Sequence, residues 1–124
     1  MPDAKKPATA AKKPTTNATA WLTIPELVEI LGESQSRVRR LIEDRYLVGK
    51  KVDGVLKVPA LALKNGEPLH ELRGTVLVLE DQHFVGDDVV DWLLESEHSL
   101  GVSPLEALHQ GRKAEVRRVA QALA

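Results

Sequence analysis

Residues 21–45 read WLTIPELVEILGESQSRVRRLIEDR, and two helix starts stand in that one stretch. Thr23-Ile24-Pro25-Glu26 has the T-x-x-E form of a capping box: the threonine hydroxyl accepts from a free backbone N–H and the glutamate reaches back to the cap. Pro25 falls in the first turn, where its missing N–H costs little. Leu22 and Leu27 stand at the staple positions on either side of that cap. Leu27, Ile30 and Leu31 follow at i, i+3, i+4, which predicts a short amphipathic helix stopped by Gly32. Ser34 offers a second cap two residues later. Val38, Leu41 and Ile42 repeat the spacing and predict a second helix to about Arg45. Its other face carries Gln35, Ser36, Arg37, Arg39, Arg40 and Glu43. Two short helices joined by about three residues, with glycine in the turn, make a helix-turn-helix.

Residues 47–59 continue as LVGKKVDGVLKVP. Asp-Gly between two β-type runs is the strongest short hairpin signal, because a type I′ turn needs positive φ at both central residues. Strands of about 48–52 and 55–58 are expected, ended by Pro59. A hairpin directly after a recognition helix is a wing.

Beyond the wing, Lys64-Asn65-Gly66 reads as a turn. Leu69, Leu72, Val76 and Leu79 keep one helical face. Thr75–Leu79 also suits a buried strand and Gly74 weakens a helix, but no partner strand is evident, so helix is preferred. Gly86 or Asp87 caps a further helix through Val89, Val90, Trp92, Leu93 and Leu94. Ser103-Pro104-Leu105-Glu106 is a second capping box with proline at N1. Gly111 divides it from a last helix with Val116, Val119, Ala120 and Leu123 inward and Arg112, Lys113, Arg117 and Arg118 outside. The expected fold is mainly α with a small β-hairpin wing: a winged helix-turn-helix over 21–64, then an acidic helical bundle over 65–124.

On the other side of Trp21 lies MPDAKKPATAAKKPTTNATA, with Lys-Lys-Pro twice among alanine and threonine. Such a stretch cannot bury enough surface to offset its ordering entropy, so residues 1–20 are expected to form a disordered basic tail. Of the 124 residues, roughly 104 then remain to fold, one domain or two small ones sharing a core. Four aromatics in all make that core aliphatic. The absence of cysteine excludes a disulfide scaffold, a thiolate metal site and a thiol nucleophile. No apolar run approaches the ~20 residues of a membrane helix, and no apolar segment follows the first lysines as a secretory signal requires. The expected location is the cytoplasm.

The formal net charge of −1 hides a segregation. The tail carries +3, residues 21–64 carry +2, and residues 65–124 carry −6. The first half can face a polyanion; the second has no evident means to do so. Cap, short turn, second cap, basic face and Asp-Gly wing stand in the order a DNA reader needs. Gln35 suits adenine and Arg37 or Arg39 suits guanine, each by a bidentate pair; Ser36 suits a base or a phosphate. Arg40, a turn further on, is better placed for the backbone, and Lys50, Lys51 and Lys57 would reach flanking phosphates or the minor groove. Some 5–8 phosphate contacts give a log–log salt slope of roughly −4.5 to −7.

These residues carry a resemblance. Residues 21–42, with the hairpin ending at Val58-Pro59-Ala60, resemble excisionase-like and MerR-like winged helix-turn-helix domains. Two departures stand out: Val28 or Glu29 where alanine is usual, and Arg37 where threonine is usual. The layout of tail, winged domain and acidic helical end closing on GRKAEVRRVAQALA (111–124) is similar to a small family of actinobacterial DNA-binding proteins. That resemblance implies a winged-helix DNA-binding protein linked to serine/threonine-kinase signalling, and the expected role is transcriptional regulation. A shorter likeness runs from Trp92-Leu93-Leu94 through Ser103–Leu108 to the toxin-binding domain of some antitoxins.

The implied kinase points to the tail. Thr9 follows Lys5 and Lys6 by four and three residues, and Thr15 and Thr16 follow Lys12-Lys13-Pro14. One phosphate adds about −1.5 to −2, over half of the tail charge. Phosphorylation, at Thr9 in the first place, is expected to weaken DNA binding without altering the fold.

Other chemistry is not expected. His70, His83, His98 and His109 form no i, i+4 pair, so no metal is expected. Asp87, Asp88, Asp91, Glu95 and Glu97 read as helix-capping and solubilising charges, with a basic partner as the alternative. No phosphate loop, dinucleotide fingerprint or nucleophile elbow is present, so neither enzyme activity nor a cofactor is expected. The competing reading is a protein-interaction adaptor or antitoxin-like module acting through the acidic helices. Oligomeric state stays open.

Overall fold

The computed structural model describes residues 20–123. The expectations for the tail, with Thr9, Thr15 and Thr16, lie outside the described residues. Among those described, six helices and two small antiparallel sheets alternate in the order β1 (Trp21–Thr23), α1 (Ile24–Leu31), α2 (Gln35–Glu43), β2 (Lys50–Val52), β3 (Val55–Pro59), a 3₁₀ turn (Ala60–Ala62), β4 (Leu63–Lys64), β5 (Glu67–Pro68), α3 (Leu72–Asp81), α4 (Asp87–Leu94), α5 (Pro104–His109) and α6 (Lys113–Gln121). The protein is mainly helical, a winged helix-turn-helix followed by four further helices.

The caps act as their residue types require. Thr23 and Glu26 close a capping box: the Glu26 amide donates to Thr23 Oγ1 at 3.4 Å, and Glu26 Oε1 accepts from the Thr23 amide at 2.8 Å. Ser103 and Glu106 repeat the motif at α5. The Ser34 hydroxyl accepts from the Arg37 amide at 3.1 Å and opens α2. Ser34→Ala is expected to cost about 1 kcal/mol, from the loss of one cap, measured by urea unfolding with an unchanged m value.

Helix α2 ends at Glu43, two residues before the expected Arg45. Arg45 takes a left-handed backbone, φ 69°, and the Tyr46 amide turns back to the Leu41 carbonyl at 2.9 Å. This is a helix-ending turn made without glycine. The apolar face of α1 also departs from expectation. Ile24 and Leu27 are buried, whereas Ile30 is exposed. Ile24 directly follows the cap and already turns inward.

The wing forms around the expected turn, with Asp53 and Gly54 both at positive φ. Its first strand is two residues shorter than expected, 50–52, and its second runs one residue further, 55–59, and includes Pro59. The sheet also has a third strand the sequence reading did not foresee: β1 pairs antiparallel with β3, Leu22 opposite Val58. The order β1-β3-β2 puts the wing's second strand in the middle. This ties the chain entering α1 directly to the wing.

In the second half the helical reading of Leu72, Val76 and Leu79 holds, but Leu69, expected on the same helical face, precedes α3 and is buried from the loop; Gly74 receives a reason. A β-carbon there would stand 2.3 Å from the Arg117 guanidinium, which lies across α3 and donates to the Glu71 carbonyl at 3.3 Å. Arg117 is therefore half-buried between helices instead of standing outside. Arg112 is not a free outward charge either: it donates to Glu115, Gln110 and the Leu100 carbonyl. Leu123, expected inward, is exposed.

The buried side chains of both halves form one continuous core, from Leu27 and Val38 through Val58 and Ala62 to Leu72, Leu79, Leu93, Leu105 and Val116. Polar contacts add to that seam. Arg45 Nε donates to Glu80 at 3.1 Å, Arg73 Nε to the Asp44 carbonyl at 2.9 Å, and Lys50 Nζ to Asp91 at 2.5 Å. His109 Nε2 lies 2.8 Å from the Leu61 carbonyl oxygen. The Arg73 guanidinium stands 5.3 Å from the Tyr46 ring centre. No helix among the described residues is long and apolar enough to cross a membrane.

Candidate nucleic-acid interface

The polar face of α2 follows from what its apolar face does. Val38 is fully buried and Leu41 nearly so. At 100° per residue, pinning these two turns Ser36, Arg39 and Arg40 away from the core and sets Gln35 and Arg37 at its edges, and all five are exposed. Among the described residues, none of the three arginines forms an ion pair. The helix is nine residues long, and its N-terminal end, favourable to an anion, lies beside these donors. An exposed helix face with three guanidiniums unpaired among the described residues, on a backbone anchored by a buried stripe, can enter a major groove and donate to base edges.

The wing lysines do not act as one set. The β2–β3 register places Lys50 directly opposite Lys57, and Lys51 opposite Leu56. Alternation along a strand then puts Lys50 and Lys57 side by side on one face and Lys51 on the other. Lys51 is exposed and Lys57 half-buried. Lys50 is engaged with Asp91, and that hydrogen bond raises the ammonium's pKa above the ordinary lysine value, assisted by the charges of Asp91 and Asp87 and opposed by partial desolvation. The structure thus places seven of the eight residues singled out for DNA on open or half-open surface and ties the eighth to the acidic half. Nothing local in the sequence signalled that pairing, because the partners lie 41 residues apart.

Arg45, just past α2, is likewise engaged by a carboxylate of the helical half, Glu80. In the helical half, Gln82, His83, Phe84, Asp88, Asp91, Trp92 and Glu95 line an open cleft of about 430 Å³, whose Asp91 is the partner of Lys50. Two aromatic rings among carboxylates give it an acidic, partly apolar character. No three histidine or carboxylate side chains among the described residues stand close enough to hold a metal ion.

Two family models match the chain, in sequence order and without overlap. Residues 11–63 match "DNA-binding protein Rv2175c, wHTH domain", and residues 69–124 match "Rv2175c C-terminal domain of unknown function". The chain belongs to the Rv2175c winged helix-turn-helix family. A curated relative is the DNA-binding protein Rv2175c of Mycobacterium tuberculosis, 27% identical over 114 residues, covering 82% of this chain and 78% of the relative. The fold agrees: the NMR structure of Rv2175c superposes with a TM-score of 0.78 at 26% identity, covering 87% of this chain and 83% of that one. The family boundary between 63 and 69 falls at the short β4–β5 hairpin, where the winged half gives way to the helical half.

Proposed function

We propose that this protein binds double-stranded DNA, reading base edges in the major groove with Gln35, Ser36, Arg37 and Arg39 and holding phosphates with Arg40, Lys51 and Lys57. The observation that carries this reading is the α2 face: three exposed guanidiniums free of ion pairs among the described residues, anchored by Val38 and Leu41. The name of the mycobacterial relative, a DNA-binding protein, supports it. Binding of this kind releases counterions in proportion to the phosphates neutralised. Three phosphate contacts, from Arg40, Lys51 and Lys57, contribute about −2.7 to the log–log salt slope. Fluorescence anisotropy with duplex DNA at several salt concentrations is the test. No binding at low salt by the full chain would overturn the proposal.

The role in the cell that fits best is transcriptional regulation, with a serine/threonine kinase as the modifying partner. A phosphate on Thr9, or on Thr15 or Thr16, would offset more than half of the +3 of the tail and lower affinity, with the winged domain still folded. Titrating DNA into protein phosphorylated at Thr9 checks this, and an unchanged affinity would remove the kinase from the account.

One observation favours a second reading. The cleft lined by Phe84, Trp92, Asp88, Asp91 and Glu95 suits a basic protein segment, as an adaptor or antitoxin-like module would need. A partner retained when Arg37, Arg39 and Arg40 are all replaced by alanine, together with absent DNA binding, would put that reading first.

A further inference from the structure

Lys50 and Lys57 face each other directly across the β2–β3 ladder. Like charges in that position repel, and the pair therefore draws an anion to the wing. The structure supplies one. Asp91 of α4 sets Oδ1 2.5 Å from Lys50 Nζ, and Asp87, one turn earlier on the same helix, adds to the field on that ammonium. Both partners stay in contact with water: the side chains are 28% and 48% exposed. An ion pair this open is weakly held and exchanges readily for another partner. Asp91 thus occupies the place a DNA phosphate would take on the wing.

We infer that the acidic edge of α4 is an internal competitor for nucleic-acid phosphate: Asp91 masks Lys50 in the free protein and is displaced when the wing meets DNA. The inference rests on the DNA-binding reading and deepens it. The helical half thereby sets the affinity of the winged half without touching DNA. It also accounts for the segregation of −6 beside +2 within one continuous core. The carboxylates that oppose DNA binding are fastened where they can act on a wing lysine.

The test uses the full chain and anisotropy with duplex DNA. Asp91→Asn removes the competitor, and Asp88→Asn makes the same change of charge on the same helix without a hydrogen bond to Lys50. Asp91→Asn is expected to bind about two- to five-fold more tightly than Asp88→Asn, the range an exposed ion pair spans. A salt slope steeper by about 0.9 is expected as Lys50 joins the phosphate contacts in full. In a Lys50→Met background the two asparagine variants should bind alike. Equal binding by Asp91→Asn and Asp88→Asn in the Lys50 protein would overturn the inference and leave the DNA-binding reading standing. So would an advantage of Asp91→Asn that survives Lys50→Met, since the effect would then not run through Lys50. Absence of DNA binding by the unaltered protein at low salt would overturn both.

Discussion

Arg39→Ala is expected to weaken binding to a specific duplex by about 1–3 kcal/mol, roughly 5- to 150-fold, and to relax sequence preference at one base pair. Arg39 is exposed and follows buried Val38, which anchors the α2 backbone at that point. A guanidinium on such a backbone can donate to guanine O6 and N7 together, which discriminates among bases, whereas a phosphate contact does not. The measurement is a titration across a panel of duplexes at fixed salt, beside Lys51→Ala. The lysine variant should lose affinity evenly across the panel with a shallower salt slope. A uniform loss for Arg39→Ala, with the slope reduced by about 0.9, would reassign Arg39 to the backbone. Because the side chain is exposed, unfolding of the variant should match that of the unaltered protein.

The largest expected loss of stability lies far from that face. Leu79 is fully buried in α3, the helix packed against both α4 and α6. Leu79→Ala is expected to cost about 2–5 kcal/mol through lost burial and the cavity left behind. The core runs without a break from Leu27 to Val116, so the whole described body should unfold together. The two tryptophans make this measurable, since Trp21 lies in β1 and Trp92 in α4. Urea transitions followed by each tryptophan, with the other replaced by phenylalanine, should shift together in Leu79→Ala. A shift seen at Trp92 with Trp21 unmoved would show that the halves fold independently.

The same division between local and distant causes separates what was legible in the chain from what was not. Thr23, Ser34 and Ser103 announced their helices because a cap is satisfied within three residues. Asp53-Gly54 announced the wing because its turn depends on the backbone of two residues. The outward face of α2 followed from the positions of Val38 and Leu41. By contrast, β1 was missed because three residues with a distant partner carry no periodicity. Gly74 read as a helix weakness because its reason, Arg117, lies 43 positions away and packs across it. Ile30 fits its helical face in spacing and Leu123 lies just past the end of α6, and among the described residues no element covers either.

By itself, then, the sequence determined the helix-turn-helix, the wing, the helical second half and the basic side chains that α2 presents. All of these depend on hydrogen bonds and periodicities spanning a few residues. The tertiary structure alone decided which cations stay available. It gave Arg45 to Glu80 and Lys50 to Asp91, pairings that span 35 and 41 residues. Charge acts through space at a few ångströms, and only the packing of the helical half against the wing brings those carboxylates within reach.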